Sequence, residues 1–164
     1  MTLACVIGVG QPLRGDDGAG PRVIELLRTG SHPAVTLRTC AVPAALLDHL
    51  DAGVPTFIVD AVVTDGAPAG TLHYWDLDAL RTTPCRVTSS HGLDLISMLR
   101  LGDELGLLPT RLVLVGIEGR TFSLGSPPSP AVEQGARGAA AWLERLEALR
   151  PQPGPAPAQE SRTD

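Results

Sequence analysis

The chain has 164 residues, a formal net charge of −5, and 43% hydrophobic residues with only 3% aromatic. That length supports one aliphatic core without disulfides or a structural metal. The acidic balance argues against nucleic acid or a membrane surface as a partner, because both are met with basic patches.

The first apolar run, "LACVIGV", is continuous, β-branched and closed by glycine, the pattern of a buried strand. "GPRVIELLRTG" follows as a helix, with Pro21 in its first turn and Val23, Ile24, Leu26 and Leu27 on one stripe. "AVTLRTC" reads as a second strand, "PAALLDHLDAG" as a short helix opened by Pro43, and "PTFIVDAVV" as a third, fully buried strand. "GTLHYWDL" alternates, as a half-exposed edge strand does. "SSHGLDLISMLRLGDELG" predicts a helix capped by Ser89 or Ser90, with a stripe of Leu93, Ile96, Leu99 and Leu101. "RLVLVGI" is a fifth strand, and "SPAVEQGARGAAAWLERLEALR" a long closing helix interrupted by Gly135 and Gly138. From Pro151 onward Pro, Ala, Gln and Ser without apolar periodicity predict a disordered tail, which leaves residues 1–150 as a single domain.

Strand–helix alternation of this kind predicts an α/β fold: a three-layer α/β/α sandwich on a mostly parallel five-stranded twisted sheet, with one antiparallel edge strand. Cys5, Cys40 and Cys85 are scattered and form no C-x-x-C, as expected of reduced thiols in a cytoplasmic protein. The N-terminus lacks a basic region before its apolar run, and no apolar run approaches the roughly 18 residues of a membrane span. Nothing in the sequence calls for association beyond a monomer.

Ligands of such sheets bind beyond the carboxyl ends of the strands. There the first strand runs into "GVGQPLRGDDGAG", residues 8–20. The spacing Gly10-x₄-Gly15 matches a phosphate loop, yet Asp16 and Asp17 stand where lysine and serine or threonine belong. Repulsion between a phosphate and a carboxylate at about 4 Å is of order 1–4 kcal/mol, so the turn suits a cation. A nucleotide-binding reading therefore ranks last. Either aspartate also suits the cap of the following helix. The third strand reaches its end at Asp60, which interrupts an apolar run, and a buried carboxylate is costly unless paired, hydrogen-bonded or bound to metal. His91 follows a serine cap; in a helix's first turn the dipole keeps imidazole neutral, the form that binds metal. The candidate constellation is Asp17, Asp60 and His91: three protein ligands with open positions, a donor set open to nickel, zinc, manganese or cobalt. His32, His49 and His73 fall away from the predicted crevice.

These motifs, in this order, resemble the hydrogenase maturation endopeptidases, which remove a C-terminal peptide from the large subunit of nickel–iron hydrogenases. The resemblance rests on Gly8-Val-Gly10-Gln11 through Asp16-Asp17-Gly18-Ala-Gly20, on "FIVDAVV" and on "SSHGLDLISML", supported by "LVLVGIE" and "LGSPPSPAV". It implies that Asp17, Asp60 and His91 contact nickel already inserted in the precursor, and that cleavage is aspartic-type in its ligands and metal-dependent, without a serine or cysteine nucleophile. The metal would polarise the scissile carbonyl or activate a water. Asp16 would cap the helix or orient that water, Glu118 would bind peptide amides or lie exposed, and Gln11 stands where the family has asparagine. The glycine-rich segment that often follows the second strand is replaced by "RTCAVPAALL". That replacement keeps an alternative open, a non-catalytic metal-sensing maturation chaperone on the same scaffold.

Overall fold

The computed structural model describes residues 1–82, 88–89 and 94–146. Its elements in chain order are β1 (Ala4–Val9), α1 (Ala19–Arg28), β2 (Val35–Cys40), β3 (Thr56–Val63), β4 (Leu72–Asp76), α2 (Leu77–Thr82), β5 (Thr88–Ser89), α3 (Asp94–Glu104), β6 (Leu112–Glu118) and α4 (Pro130–Arg145). The main sheet runs β2-β1-β3-β6-β4. The first four of these strands are parallel, and β4 pairs antiparallel with β6 at the edge. The expected five-stranded mixed sheet is therefore present. The two-residue β5 adds an antiparallel pair to the end of β3.

Alternation along the central strands explains the layers. Ala4 and Val6 of β1, Phe57 and Val59 of β3, and Val115 and Ile117 of β6 face one side, where Val23, Ile24 and Leu27 of α1 and Val132, Ala136 and Leu143 of α4 cover them. Cys5, Ile7 and Val9, with Ile58, Leu112 and Leu114, face the other side, against Leu80 of α2, Leu95 and Leu99 of α3, and Leu46. Each fully buried Phe, Leu or Ile contributes about 1.5–3 kcal/mol relative to exposure. Arg22 of α1 donates to both carboxylate oxygens of Glu133 on α4 at 2.9 and 3.1 Å, which fixes the two helices on one face of the sheet.

Two features differ from the sequence expectations. The segment from Pro43 is two 3-10 turns, Pro43–Ala45 and Leu47–His49, instead of a helix; its hydrogen bonds run from Ala45, Leu46, His49 and Leu50 to carbonyls three residues back. A segment of eleven residues, Pro43 to Gly53, is short enough to leave a helix marginal, and tight turns place Leu46 in the core. Ser89 belongs to β5; Ser90, and the start of the helix expected after it, lie outside the described residues. The short α2 was not expected. The end of the closing helix and the expected tail, 151–164, lie outside the described residues.

Candidate active site

Parallel strands β1 and β3 are neighbours, and their register runs from Cys5↔Thr56 to Gly8↔Val59. Beyond that pair β1 turns away, whereas β3 continues beside β6 through Val62↔Glu118. Asp60 is the first residue of β3 past its pairing with β1. The sequence places it at the strand's end; in fact it stands inside the strand, three residues short of Val63, where the departure of β1 opens a crevice.

The departing chain turns at Gly10, whose φ of +126° favours glycine, and a side chain there would strike the Asp17 carbonyl oxygen. It then forms a 3-10 turn, Gly15–Gly18, that leads directly into α1. Asp16 and Asp17 are both fully buried in that turn, and they diverge. The Asp17 Oδ2 accepts the backbone N–H of Gln11 at 2.9 Å. Gln11 thus serves the turn through its main chain, so glutamine in place of asparagine does not alter that bond.

Asp16 points toward the segment after β6. Its Oδ2 accepts the N–H of Arg120 at 2.8 Å, the N–H of Thr121 at 3.0 Å and the Thr121 hydroxyl at 3.3 Å; its Oδ1 accepts the N–H of Ser129 at 2.8 Å. Burial works against its ionised form, but the amides of Arg120, Thr121 and Ser129 outweigh it and hold the carboxyl below its usual range. The Ser129 hydroxyl lies nearby without a bond of normal geometry, so the backbone amides carry the effect. The bonds of the Asp16 carboxylate go to Arg120, Thr121 and Ser129, and none goes to α1. The expectation that Asp16 caps that helix gives way to a role as an anchor between two loops.

Asp60 is the opposite case. It is fully buried, and neither carboxylate oxygen has a hydrogen-bond partner among the described residues. Burial first, and the nearby charge of Asp17 second, push its pKa well above the ordinary carboxylate range. The adjacent Ala61 amide opposes the shift without making a bond of normal geometry. Two buried carboxylates, close enough to interact and unmatched by a described cation at Asp60, form a site that gains when a cation enters.

Glu118 ends β6 and is fully buried, not exposed. Its Oε1 accepts the Thr64 N–H at 2.9 Å and its Oε2 the Thr64 hydroxyl at 2.8 Å; His73 Nε2 lies 3.1 Å from Oε2. Those contacts occupy the carboxylate that sequence reasoning offered to peptide amides. They also bring His73 to the carboxyl end of the sheet, where it stacks on Trp75 at 5.3 Å. The antiparallel run of β4 accounts for this, since its first residues lie beside the last of β6. Sequence reading set His73 aside because strand direction is not visible in an alternating pattern.

His91, the expected nitrogen ligand, and Cys85 lie outside the described residues. Among the described residues no three His, Cys, Asp or Glu side chains gather as a metal site. The described part of the candidate site is the Asp17–Asp60 pair. None of the described helices is long and apolar enough to cross a membrane.

The family model for HycI, hydrogenase maturation protease, matches residues 23–144. The chain belongs to the hydrogenase maturation protease family. Membership assigns it to the proteases, hydrolases of the peptide bond that act in hydrogenase maturation. The matched span contains Asp60, His91 and Glu118 and begins after the Asp16–Asp17 turn. A search of curated proteins gave no significant match. Among solved structures the chain is similar to a [NiFe] hydrogenase maturation protease HybD from Thermococcus kodakarensis, at 22% identity and TM-score 0.72 over 88% of this chain and 97% of that one. It is similar to the hydrogenase maturating endopeptidase HybD from E. coli, at 24% identity and TM-score 0.72 over 87% and 90%. It is also similar to a hydrogenase 2 maturation peptidase from Thaumarchaeota archaeon SCGC_AB-539-E09, at 27% identity and TM-score 0.61 over 90% and 99%. The fold of this family of proteases, with its mixed five-stranded sheet, is the fold described above.

Proposed function

We propose that this protease removes the C-terminal extension of a nickel–iron hydrogenase large-subunit precursor after nickel insertion, and that Asp17, Asp60 and His91 contact the nickel carried by that substrate. The observation that carries the reading is Asp60: a fully buried carboxylate without a partner among the described residues, beside the buried Asp17, at the open end of a central strand. A group in that state is expensive to keep for structure alone and is suited to a cation that arrives with the substrate. Nickel would supply Lewis acidity at the scissile carbonyl or at a water. The chain's own part is to present two oxygens and one nitrogen with positions left open.

A groove of about 260 Å³ adjoins the turn at Gly10 and Pro12 and runs along Glu25, Arg28 and Thr39, a seat for an extended peptide on the side of α1. The family membership supports the precursor as the partner. A cytoplasmic location and a monomeric state belong to the same reading.

The experiment mixes the protein with nickel-loaded precursor and follows the large subunit by mass spectrometry. Loss of the C-terminal peptide is expected with the wild type, and none with Asp17→Ala, Asp60→Ala or His91→Ala. Equal trimming by those variants would place the chemistry elsewhere. Precursor binding without any loss of mass would favour the chaperone reading.

A further inference from the structure

The acidic pair divides its labour, and the half that faces away from the crevice is tied to a distant segment of the chain. The Asp16 carboxylate takes backbone N–H groups from Arg120, Thr121 and Ser129, and the Thr121 hydroxyl as well. Its own N–H donates to the Thr121 carbonyl at 2.7 Å. Neighbouring main-chain bonds extend the seam: Gly15 N–H to Ser126 O at 2.8 Å and Gly125 N–H to Leu13 O at 2.7 Å, with a bridge between Arg14 and Ser126. Residues 13–16 are thus sewn to residues 119–129, and Asp16 is the only side chain in that seam that binds both ends of the later segment, beside β6 and at the start of α4. Four donors from the later segment converge on this fully buried carboxylate. One residue on, Asp17 has turned the other way and holds the Gln11 amide.

We propose that Asp16 is a positioning residue: by locking the 3-10 turn to the β6–α4 segment it holds the Asp17 carboxylate in place beside Asp60, and so tunes the affinity of the pair for a divalent cation. This rests on the cation reading of the Asp17–Asp60 pair given above. Groups that orient ligands without touching the metal typically change metal affinity about 10–100-fold when removed.

Two variants separate positioning from bulk stability. Asp16→Asn keeps the shape but replaces one acceptor oxygen with an NH₂ that opposes the incoming amides. Ser129→Pro removes the donor to Oδ1 and sets the ring Cδ against that oxygen, so it disturbs the later end of the seam alone; the native φ of −61° at that position fits proline. The purified full chain is titrated with Ni²⁺ by calorimetry and with Co²⁺ by absorption, below the melting temperature of every variant. In the metal-free protein, hydrogen exchange of the Gln11 amide reports directly on whether Asp17 is still in place. Asp16→Asn is expected to weaken Ni²⁺ binding about 10–100-fold, to change the Co²⁺ spectrum and to speed Gln11 exchange, with Ser129→Pro moving all three in the same direction by less. If both variants melt earlier yet keep wild-type Gln11 exchange, Co²⁺ spectrum and Ni²⁺ affinity, Asp16 is only a structural clamp and the proposal is overturned. If Asp16→Asn does not fold, Ser129→Pro decides. A wild type that binds neither ion would count against the cation reading, and Gln11 exchange would still decide whether Asp16 positions Asp17.

Discussion

Asp60→Asn is predicted to stabilise the metal-free protein while abolishing processing. Both oxygens of Asp60 are buried without a partner among the described residues, and its pKa stands well above the ordinary range. The unfolded chain titrates this group near 3.9. At pH below that value the carboxyl is neutral in both states and adds no pH dependence. As pH rises further, the unfolded state releases the proton first, so stability falls with pH until the raised folded pKa has been passed, and then levels. Leaving a buried group unsatisfied costs about 1–3 kcal/mol, more when it is charged. Asparagine keeps the unsatisfied polar atoms and removes the charge. It should therefore match the wild type near the unfolded pKa and exceed it by about 1–3 kcal/mol at pH 8, which for a chain of this size corresponds to roughly 2–12 °C in melting temperature. Urea unfolding at a series of pH values from acid to mildly alkaline, with chelator present, measures the difference. A gain that does not change with pH, or a variant less stable than wild type at pH 8, would refute the argument that Asp60 is a strained carboxylate.

Asp16 carries the opposite sign. Its folded pKa is lowered by backbone amides against the pull of burial, so its contribution is present above the unfolded pKa near 3.9 and is lost as pH falls through the folded value; Asp16→Ala should cost about 3–5 kcal/mol at neutral pH and much less in strong acid, by the same urea series. Glu118→Ala leaves Thr64 and His73 without their acceptor and should cost about 1–3 kcal/mol in unfolding free energy, while Ni²⁺ affinity by calorimetry stays within about twofold of wild type. Gly135→Ala should lower the melting temperature although alanine is the better helix former by about 1 kcal/mol, because its Cβ would sit 2.7 Å from the Gly70 carbonyl oxygen and 2.9 Å from Ile117; a raised melting temperature would mean that α4 can move off the sheet at little cost.

The parts of the molecule that the sequence displays are those with local causes. Continuous β-branched runs announce β1, β3 and β6 because strands buried on both faces have no polar alternation to interrupt them. The exposure pattern of β4 announces an edge. Asp60 was visible because a carboxylate is conspicuous in an apolar run. The division of labour between Asp16 and Asp17 could not be read, since the partners of Asp16 lie 104 to 113 residues away along the chain. Gln11 was weighed by its side chain when its backbone amide does the binding. His73 was passed over because its meeting with Glu118 depends on β4 running antiparallel to β6. The stretch from Pro43 reads as a helix in sequence because local propensity does not distinguish three-residue from four-residue hydrogen bonding over so short a stretch.

The Asp16 seam also sets the order in which the molecule can be made. β1, α1 and β2 are neighbours in sequence and in space, so that unit can associate through short loops early in folding. The turn that carries Asp17 belongs to the same early unit, yet its lock is Ser129, at the threshold of the last helix. Until residues 120–129 are in place, the acidic turn has strands beneath it and local bonds such as the Gln11 amide on Asp17, without its tie to the far segment. A chain without α4 would lack both this lock and the Val132, Ala136 and Leu143 cover of the sheet, so the crevice and that half of the core are completed in the same step.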